Sequence, residues 1–186
     1  DDSMSPQDES ILETSTTDFQ AVTLDDDGNV LSGTVTSYRM RKDGSLKEHT
    51  TIHYGGDPNP NTITTTKYDS TGTLQDLAIG ILETSVTDFA GGLDTGVADD
   101  GATPIHENKS EVIFDDEGNV LAGKVVTERR RKDNSLKEKT LIDYGADPNP
   151  DLITTTTHSM VADDSMTPQD ESLLETSVTD FGGVTF

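Results

Sequence analysis

Two acidic turns carry residue types that bind metal ions through oxygen. Each turn has a carboxylate or amide side chain at three alternate positions. These residues are Asp25, Asp27, Asn29, Asp115, Glu117 and Asn119. Because Ca²⁺ prefers such oxygen ligands, it is the one cofactor that the sequence suggests, although none is required. The alternative is a pair of hairpin turns whose carboxylates are only solvated, since neither stretch reproduces the long calcium loop that ends in a glutamate.

The histidines do not support a metal or catalytic centre. His49 and His53 would lie on one face of a predicted strand, but the matching positions in a second, similar segment are Lys139 and Asp143. A function shared by both segments therefore cannot depend on these histidines. No nucleophile elbow, phosphate-binding loop or paired-acid motif is recognisable either. We predict that the protein is not an enzyme.

Basic residues are concentrated on two predicted hairpins. Eleven of the 13 Lys and Arg residues lie there, in a chain with 36 Asp and Glu residues. Nine of them form a predicted assembly interface: Arg39, Arg41, Lys42, Lys47, Arg129, Arg130, Arg131, Lys132 and Lys137. We expect this positive band to face the acidic surface of a neighbouring unit and to set its register by complementary charge. The alternative is a solvated strand pair whose lysines protect a sheet edge.

The elements that carry these residues are predicted to be β-strands. Threonine and valine are abundant and favour extended backbone. The Asp43-Gly44 pair between alternating apolar residues is typical of a tight hairpin turn. Gly44 aligns with Asn134 in the second segment, and both residue types tolerate a positive φ. Gly56 aligns with Ala146, so we expect no positive φ at that position.

Alternation with a period of two is clearest in the third predicted strand of each segment. One face of that strand is unchanged between the segments, whereas the other face varies except at its first Lys. The unchanged face consists of Leu46, Glu48, Thr50, Ile52 and Tyr54. This pattern predicts a strand whose Leu, Ile and Tyr side chains pack inward.

The chain contains a long internal repeat. Residues 24–66 match residues 114–156 at 28 of 43 positions, with an offset of 90 residues. A shorter element, ILETSTTDF at 11–19, recurs at 81–89 and 173–181. The predicted organisation is therefore a short element, a long element, a second short element, a second long element and a final short element. Because each long element contains a predicted meander, the fold class is all-β, a tandem repeat of two homologous antiparallel β-meander modules.

A longer period links the first and last residues of the sequence. Residues 1–24 match residues 163–186 at 18 of 24 positions, which gives a period of 162 residues. Two interpretations follow. The chain is a window on a tandem array, or it is a subunit in which one end can fill the place of the other end in its neighbour.

The repeat divides the chain into four parts. We predict a first module, a Gly- and Asp-rich linker or excursion loop, a second meander and the start of the next period, at 1–89, 90–111, 112–162 and 163–186. Each module is expected to be either a small sandwich-like unit or part of a sheet that continues from unit to unit.

A short segment resembles a known repeat family. Tyr68-Asp69-Ser70-Thr71-Gly72-Thr73-Leu74 resembles the YDxxGxL core of YD-type hairpin repeats, which occur in large secreted shells. The resemblance covers only these seven residues. It implies a β-hairpin at this position.

Composition narrows the class of function. The net charge of −23 disfavours nucleic acid and anionic membranes as partners, and no apolar run is long enough to insert into a membrane. Leu, Ile, Val and Phe total only 40 of 186 residues, so we expect order to come partly from assembly. The leading hypothesis is a structural repeat protein of an extracellular or cell-surface fibre, filament or array, whose partners are copies of itself. The alternative is a Ca²⁺-stiffened stalk or ligand-binding repeat of a large bacterial surface adhesin.

Overall fold

The computed structural model describes residues 13–56, 58–93, 112–145, 148–158 and 173–182. Within these ranges every regular element is a β-strand, which confirms the prediction of an all-β protein. Most of the predicted linker 90–111 and the first ten residues of the segment 163–186 lie outside the described residues.

Eleven strands follow one another along the chain. Their bounds are β1 Glu13–Leu24, β2 Val30–Arg41, β3 Leu46–Gly55, β4 Pro60–Tyr68, β5 Ile81–Asp88, β6 Ile113–Phe114, β7 Val120–Ala122, β8 Lys124–Arg131, β9 Leu136–Asp143, β10 Leu152–His158 and β11 Leu173–Asp180.

Nine of these strands form one antiparallel sheet in the order β1-β2-β3-β4-β5-β8-β9-β10-β11. The short strands β6 and β7 pair separately. The expectation of sandwich-like modules is therefore wrong for the described residues, and the expectation of a continuous sheet is right. The physical reason is that β5 pairs through its backbone with β4 on one edge and with β8 on the other. The two meanders consequently join edge to edge and not face to face.

Strand β1 has two parts: residues 13–19 belong to the short repeated element, which we call the LETS element, and the rest runs through Val22 to Leu24. We call β1, β5 and β11, which all carry this element, the LETS strands. A register shift between Asp18 and Ala21 marks a bulge where the two parts meet. In the second copy of the LETS element, the chain leaves the sheet at the point that matches this bulge, after Phe89. It returns there as well, because the Val112 amide donates a hydrogen bond to the Phe89 carbonyl at 3.1 Å. The residues between Phe89 and Val112 therefore fall at the position that corresponds to the bulge of β1.

The tight turns agree with most of the sequence expectations. Gly44 has a φ of 81° and Asn134 has a φ of 68°, so the exchange of glycine for asparagine is explained by a left-handed turn position. Gly56, however, has a φ of 130°, so the expectation of a negative φ there was wrong. Residue 146, on which that expectation rested, lies outside the described residues.

The buried core is small. Its apolar members among the described residues are Val35, Leu46, Tyr68, Val125 and Val126. On the predicted inward face, Leu46 is fully buried, whereas Ile52 and Tyr54 are only half-buried. This difference follows from the single sheet, because no second layer of strands from the described residues covers the middle of that face.

The Tyr68–Leu74 segment covers the end of the sheet above Leu46. The connection from β4 to β5 places the Gly72 carbonyl 2.8 Å from the amide of Leu46, which donates to it. The Tyr68 hydroxyl donates to the Leu77 carbonyl at 3.1 Å. Strands β4 and β5 pair antiparallel around this connection, so the segment lies in a hairpin with a long loop.

Candidate assembly interface

A cluster of opposite charges joins β5 to the second meander. We call it the joint cluster; it consists of Glu83 on β5, Arg129 on β8, and Lys137 and Glu138 on β9. Arg129 Nη2 donates to both carboxylate oxygens of Glu83 at 3.0 and 3.2 Å. Lys137 Nζ donates to the same carboxylate at 2.5 Å, and Arg129 Nη1 donates to Glu138 at 3.0 Å. The Glu83 side chain is only 13% exposed, whereas Arg129 and Lys137 are 34% and 41% exposed, so the carboxylate is shielded and its cations reach solvent.

The same arrangement occurs at the outer edge of the sheet. We call it the edge cluster; it consists of Glu13 on β1, Arg39 on β2, and Lys47 and Glu48 on β3. Arg39 Nη2 donates to Glu13 at 2.7 Å, and Lys47 pairs with the other oxygen of that carboxylate. Arg39 Nη1 reaches Glu48 at 3.4 Å. Here the glutamate is 35% exposed, because β1 has a sheet neighbour on one side only among the described strands.

Strand register explains why both clusters form. Ser15 faces Arg39 across β1 and β2, and Ser85 faces Arg129 across β5 and β8. The glutamate two residues before each serine therefore lies diagonally opposite the arginine, within reach of a long side chain. The clusters depend on a pairing register that the LETS strands share.

Burial and hydrogen bonding act in opposite directions on the joint glutamate. Burial raises the pKa of Glu83, but hydrogen bonds from Lys137 and Arg129 outweigh it and hold the pKa below its usual value. At the edge, hydrogen bonds from Lys47 and then Arg39 lower the pKa of Glu13. Both carboxylates are therefore ionised at neutral pH, as an ion-pair contact requires.

Two of the predicted interface residues form hydrogen bonds to backbone carbonyls of their own meander. Arg41 Nη1 donates to the carbonyls of Leu46 at 2.6 Å and Asp69 at 2.9 Å. Arg131 Nη1 makes the matching bond to the Leu136 carbonyl at 2.6 Å. These guanidinium groups satisfy backbone acceptors at one end of the sheet, which fixes them inside each meander.

The remaining basic residues lie beside the clusters. Arg130 Nη2 pairs with Glu128 at 2.6 Å, and Lys139 approaches the same carboxylate at 3.5 Å. Glu128 is itself buried, with 8% of its side chain exposed. Lys42 and Lys132 are exposed at the hairpin turns. Of the nine predicted residues, four form an ion pair with a LETS strand: Arg39, Lys47, Arg129 and Lys137.

The acidic turns use their first carboxylate internally. Asp25 Oδ1 accepts from the amides of Asp27 and Asn29 at 3.0 and 2.7 Å, and its Oδ2 accepts from the Asn29 side chain at 2.9 Å. Asp115 repeats these bonds with Glu117 and Asn119.

The hydrogen bond from the asparagine side chain is the main cause of a lowered pKa at Asp25 and Asp115. Within the described ranges, no three His, Asp or Glu residues are grouped in a way that could hold a metal ion.

Sequence reasoning found the cationic half of the clusters and missed the acidic half. Glu13 and Glu83 are the partners of the basic band, and they belong to the short repeated element. The available signal was the recurrence of the letters LETS three times in one chain. It could have been connected to the basic band only by knowing which strands are neighbours.

Comparisons with known proteins place this chain in no family: no protein-family model, no curated protein and no solved structure matches it. Across the part of the chain that the structure describes, no helix is long and apolar enough to cross a membrane.

Proposed function

We propose that this chain is a structural repeat protein made of two homologous β-meander modules. In this proposal its units join into the extended sheet of an extracellular or cell-surface fibre, filament or array. The observation that carries the proposal is the pairing of β5, a LETS strand, with a meander on each of its edges. A strand that unites two similar modules within one chain is a ready device for uniting modules of different chains.

The strand registers support the repeat. Arg39 faces Glu48 across β2 and β3, and Arg129 faces Glu138 across β8 and β9. A protein whose successive units keep the same pairing can extend by contacts between nearest neighbours alone. Such a protein needs no singular active site.

The small core also favours assembly. Large apolar side chains that remain exposed include Leu173, Leu174 and Val178 on β11. A lone chain leaves this surface in water, whereas pairing with a neighbouring strand would cover part of it. The proposal therefore assigns part of the stability of the sheet to contacts between units.

The internal use of the turn carboxylates favours the fibre over a calcium-stiffened stalk. Both oxygens of Asp25 already accept hydrogen bonds within the turn. Recruiting this carboxylate to a metal ion would cost bonds that hold the turn together. Strand pairing, in contrast, uses backbone groups at the sheet edges.

Sedimentation velocity and negative-stain microscopy over a range of protein concentrations test the proposal. We expect concentration-dependent assembly into regular fibres, which weakens at high salt because charge pairs contribute to it. Fibres that persist in EDTA would separate this function from that of a calcium-dependent stalk. A chain that remains monomeric at every concentration and salt would overturn the proposal.

A further inference from the structure

Three strands of nearly identical sequence occupy three different positions in the sheet. The strand β5 has neighbours on both edges, β1 pairs only with β2, and β11 pairs only with β10 among the described residues. The strand that would pair with the outer edge of β11 can therefore be inferred from the strand that pairs with the corresponding edge of β5.

The inner edge of β11 is built in the same way as that of β5. Val86 faces Thr64 on β4, and Val178 faces Thr154 on β10. Each of the two strands thus pairs in the same register with the strand of the meander that precedes it. By this equivalence, the outer edge of β11 corresponds to the edge of β5 that receives β8.

The charges on β11 are consistent with an incomplete joint. Glu175 is the counterpart of Glu83 and Glu13, but among the described residues it has no ion pair. Every residue of β11 is exposed, whereas most of β5 is half-buried. Compared with Glu83, Glu175 lacks two partners among the described residues: an arginine on a neighbouring strand and a lysine on the strand after that one.

That pair of cations exists on the hairpin formed by β2 and β3, as Arg39 and Lys47. We propose that the outer edge of β11 binds the β2–β3 hairpin of a second copy of this chain, in the register that β5 keeps with β8. Glu175 then lies between Arg39 and Lys47 of that copy. Since β1 occupies this place within each copy, β11 displaces β1 by strand exchange. This inference rests on the proposed function and names the strand and register that perform it.

Simple edge-to-edge contact between β11 and β1 is disfavoured by charge. Both strands carry a glutamate and an aspartate, and neither carries a lysine or an arginine. Like charges on adjacent strands destabilise pairing. Strand β2, in contrast, carries Arg39, the arginine with which the glutamate of β1 or of β11 can pair.

Two matched variants of the full chain should act in opposite directions. Glu13→Ala weakens the hold of β1 on Arg39 and Lys47, so it should raise the association constant about fivefold, the value of one exposed ion pair. Glu175→Ala removes the carboxylate of the incoming strand and should lower association by a similar factor. Effects of the same sign for both variants would overturn the exchange, because a general effect of lost negative charge would act alike on both.

Register can be tested by cysteine cross-linking, since the chain has no cysteine of its own. Thr87 faces Thr127 with their hydroxyls 3.0 Å apart, and Thr17 faces Ser37 at 3.4 Å. The equivalent contact between copies joins Thr179 to Ser37. Full-length Ser37→Cys and Thr179→Cys chains are mixed and oxidised gently, and mixed disulfides are measured by mass spectrometry.

We expect the Ser37→Cys and Thr179→Cys mixture to give at least about tenfold more mixed disulfide than Thr36→Cys with Thr179→Cys. A one-residue shift moves the side chain to the other face of the sheet, beyond disulfide distance. Assembly with equal cross-linking in both mixtures, or with none, would overturn the inference and leave the proposed function standing. Absence of assembly by sedimentation would overturn both.

Discussion

The joint cluster and the edge cluster use the same residue types in different surroundings. Glu83 at the joint is 13% exposed and Glu13 at the edge is 35% exposed. The arginine of the joint lies 3.0 Å from its second glutamate, Glu138, whereas that of the edge lies 3.4 Å from Glu48. The clusters therefore differ in the exposure of the central glutamate and in the contact to the second one, and not in the closeness of the central pair, since Arg39 lies 2.7 Å from Glu13 and Arg129 lies 3.0 Å from Glu83.

The comparison extends to the aspartate that ends the LETS sequence. Asp88, beside the joint, is 2% exposed. It accepts hydrogen bonds from the amides of Ala90 and Leu93 at 3.1 and 2.5 Å. Its counterpart Asp18 on β1 is exposed. The difference goes with the residues that follow each aspartate: after Asp88 the chain turns at Gly91, which has a φ of 72°, whereas β1 continues past Asp18 to Leu24.

Removal of the buried aspartate should have the largest effect. Asp88→Ala leaves two backbone amides without their acceptor, and we expect a loss of about 3 kcal/mol in the free energy of unfolding. Asp18→Ala is the matched control and should cost much less, because water can solvate that exposed site. Urea denaturation of both variants measures the difference. Equal losses of stability in the two variants would contradict the difference between joint and edge.

The joint ion pair should come next. The Glu83 carboxylate is shielded, but water reaches the cations left behind by its removal, since Arg129 is 34% and Lys137 41% exposed, so Glu83→Ala should cost about 1 kcal/mol. A double-mutant cycle with Arg129→Ala isolates the coupling between the two side chains.

The matched cycle of Glu13 and Arg39 should show weaker coupling that nearly disappears in molar salt, since exposed charges are screened. Coupling at the edge that equals the joint and survives salt would contradict the comparison.

Acidification should act on both clusters in a defined direction. The pKa of Glu83 lies below the ordinary value of 4.5, so the unfolded chain binds this proton more tightly than the folded chain does. Its contribution to stability is therefore complete above the unfolded pKa and is lost as the pH falls through the lowered folded pKa. Chemical denaturation between neutral pH and acid should show this loss, and Glu83→Gln should reduce it. A variant that keeps the full acid dependence would exclude Glu83 as its source.

Calcium should have the smallest effect. Because the Asp25 carboxylate is engaged by Asp27 and Asn29, we expect neither CaCl₂ nor EDTA to shift the melting temperature. Asp25→Ala should destabilise the turn in both conditions alike. A rise of several degrees with calcium that Asp25→Ala abolishes would restore the stalk hypothesis.

Much of the local structure was predictable. Strand β3 contains the alternating residues from Leu46 to Tyr54 that predicted it, and the turn at Asn134 has the backbone geometry that its alignment with Gly44 indicated. These features depend on neighbours in the chain, such as hairpin turns and alternating side chains. The candidate site was half predictable, because the basic residues were visible as a band and their glutamate partners were not.

The sandwich expectation failed for a reason that period two cannot reveal. An alternating strand shows that its two faces differ, as Leu46 and Lys47 do, but it does not say whether a second sheet covers either face. Only the pairing of β5 on both edges distinguishes one continuous sheet from two packed ones. Ile52, identical in both segments, remains half-buried for this reason.

The sequence by itself determined the strands, the turns and the recurrence of the LETS element, because each depends on residues close together in the chain. Tertiary structure alone decided that Glu83 meets Arg129, which lies 46 residues away, and that Lys137 joins them from the next strand. These contacts depend on which strands become neighbours and in what register. Two segments of nearly identical sequence therefore carry a shielded glutamate at the joint in β5 and a more exposed glutamate at the edge in β1.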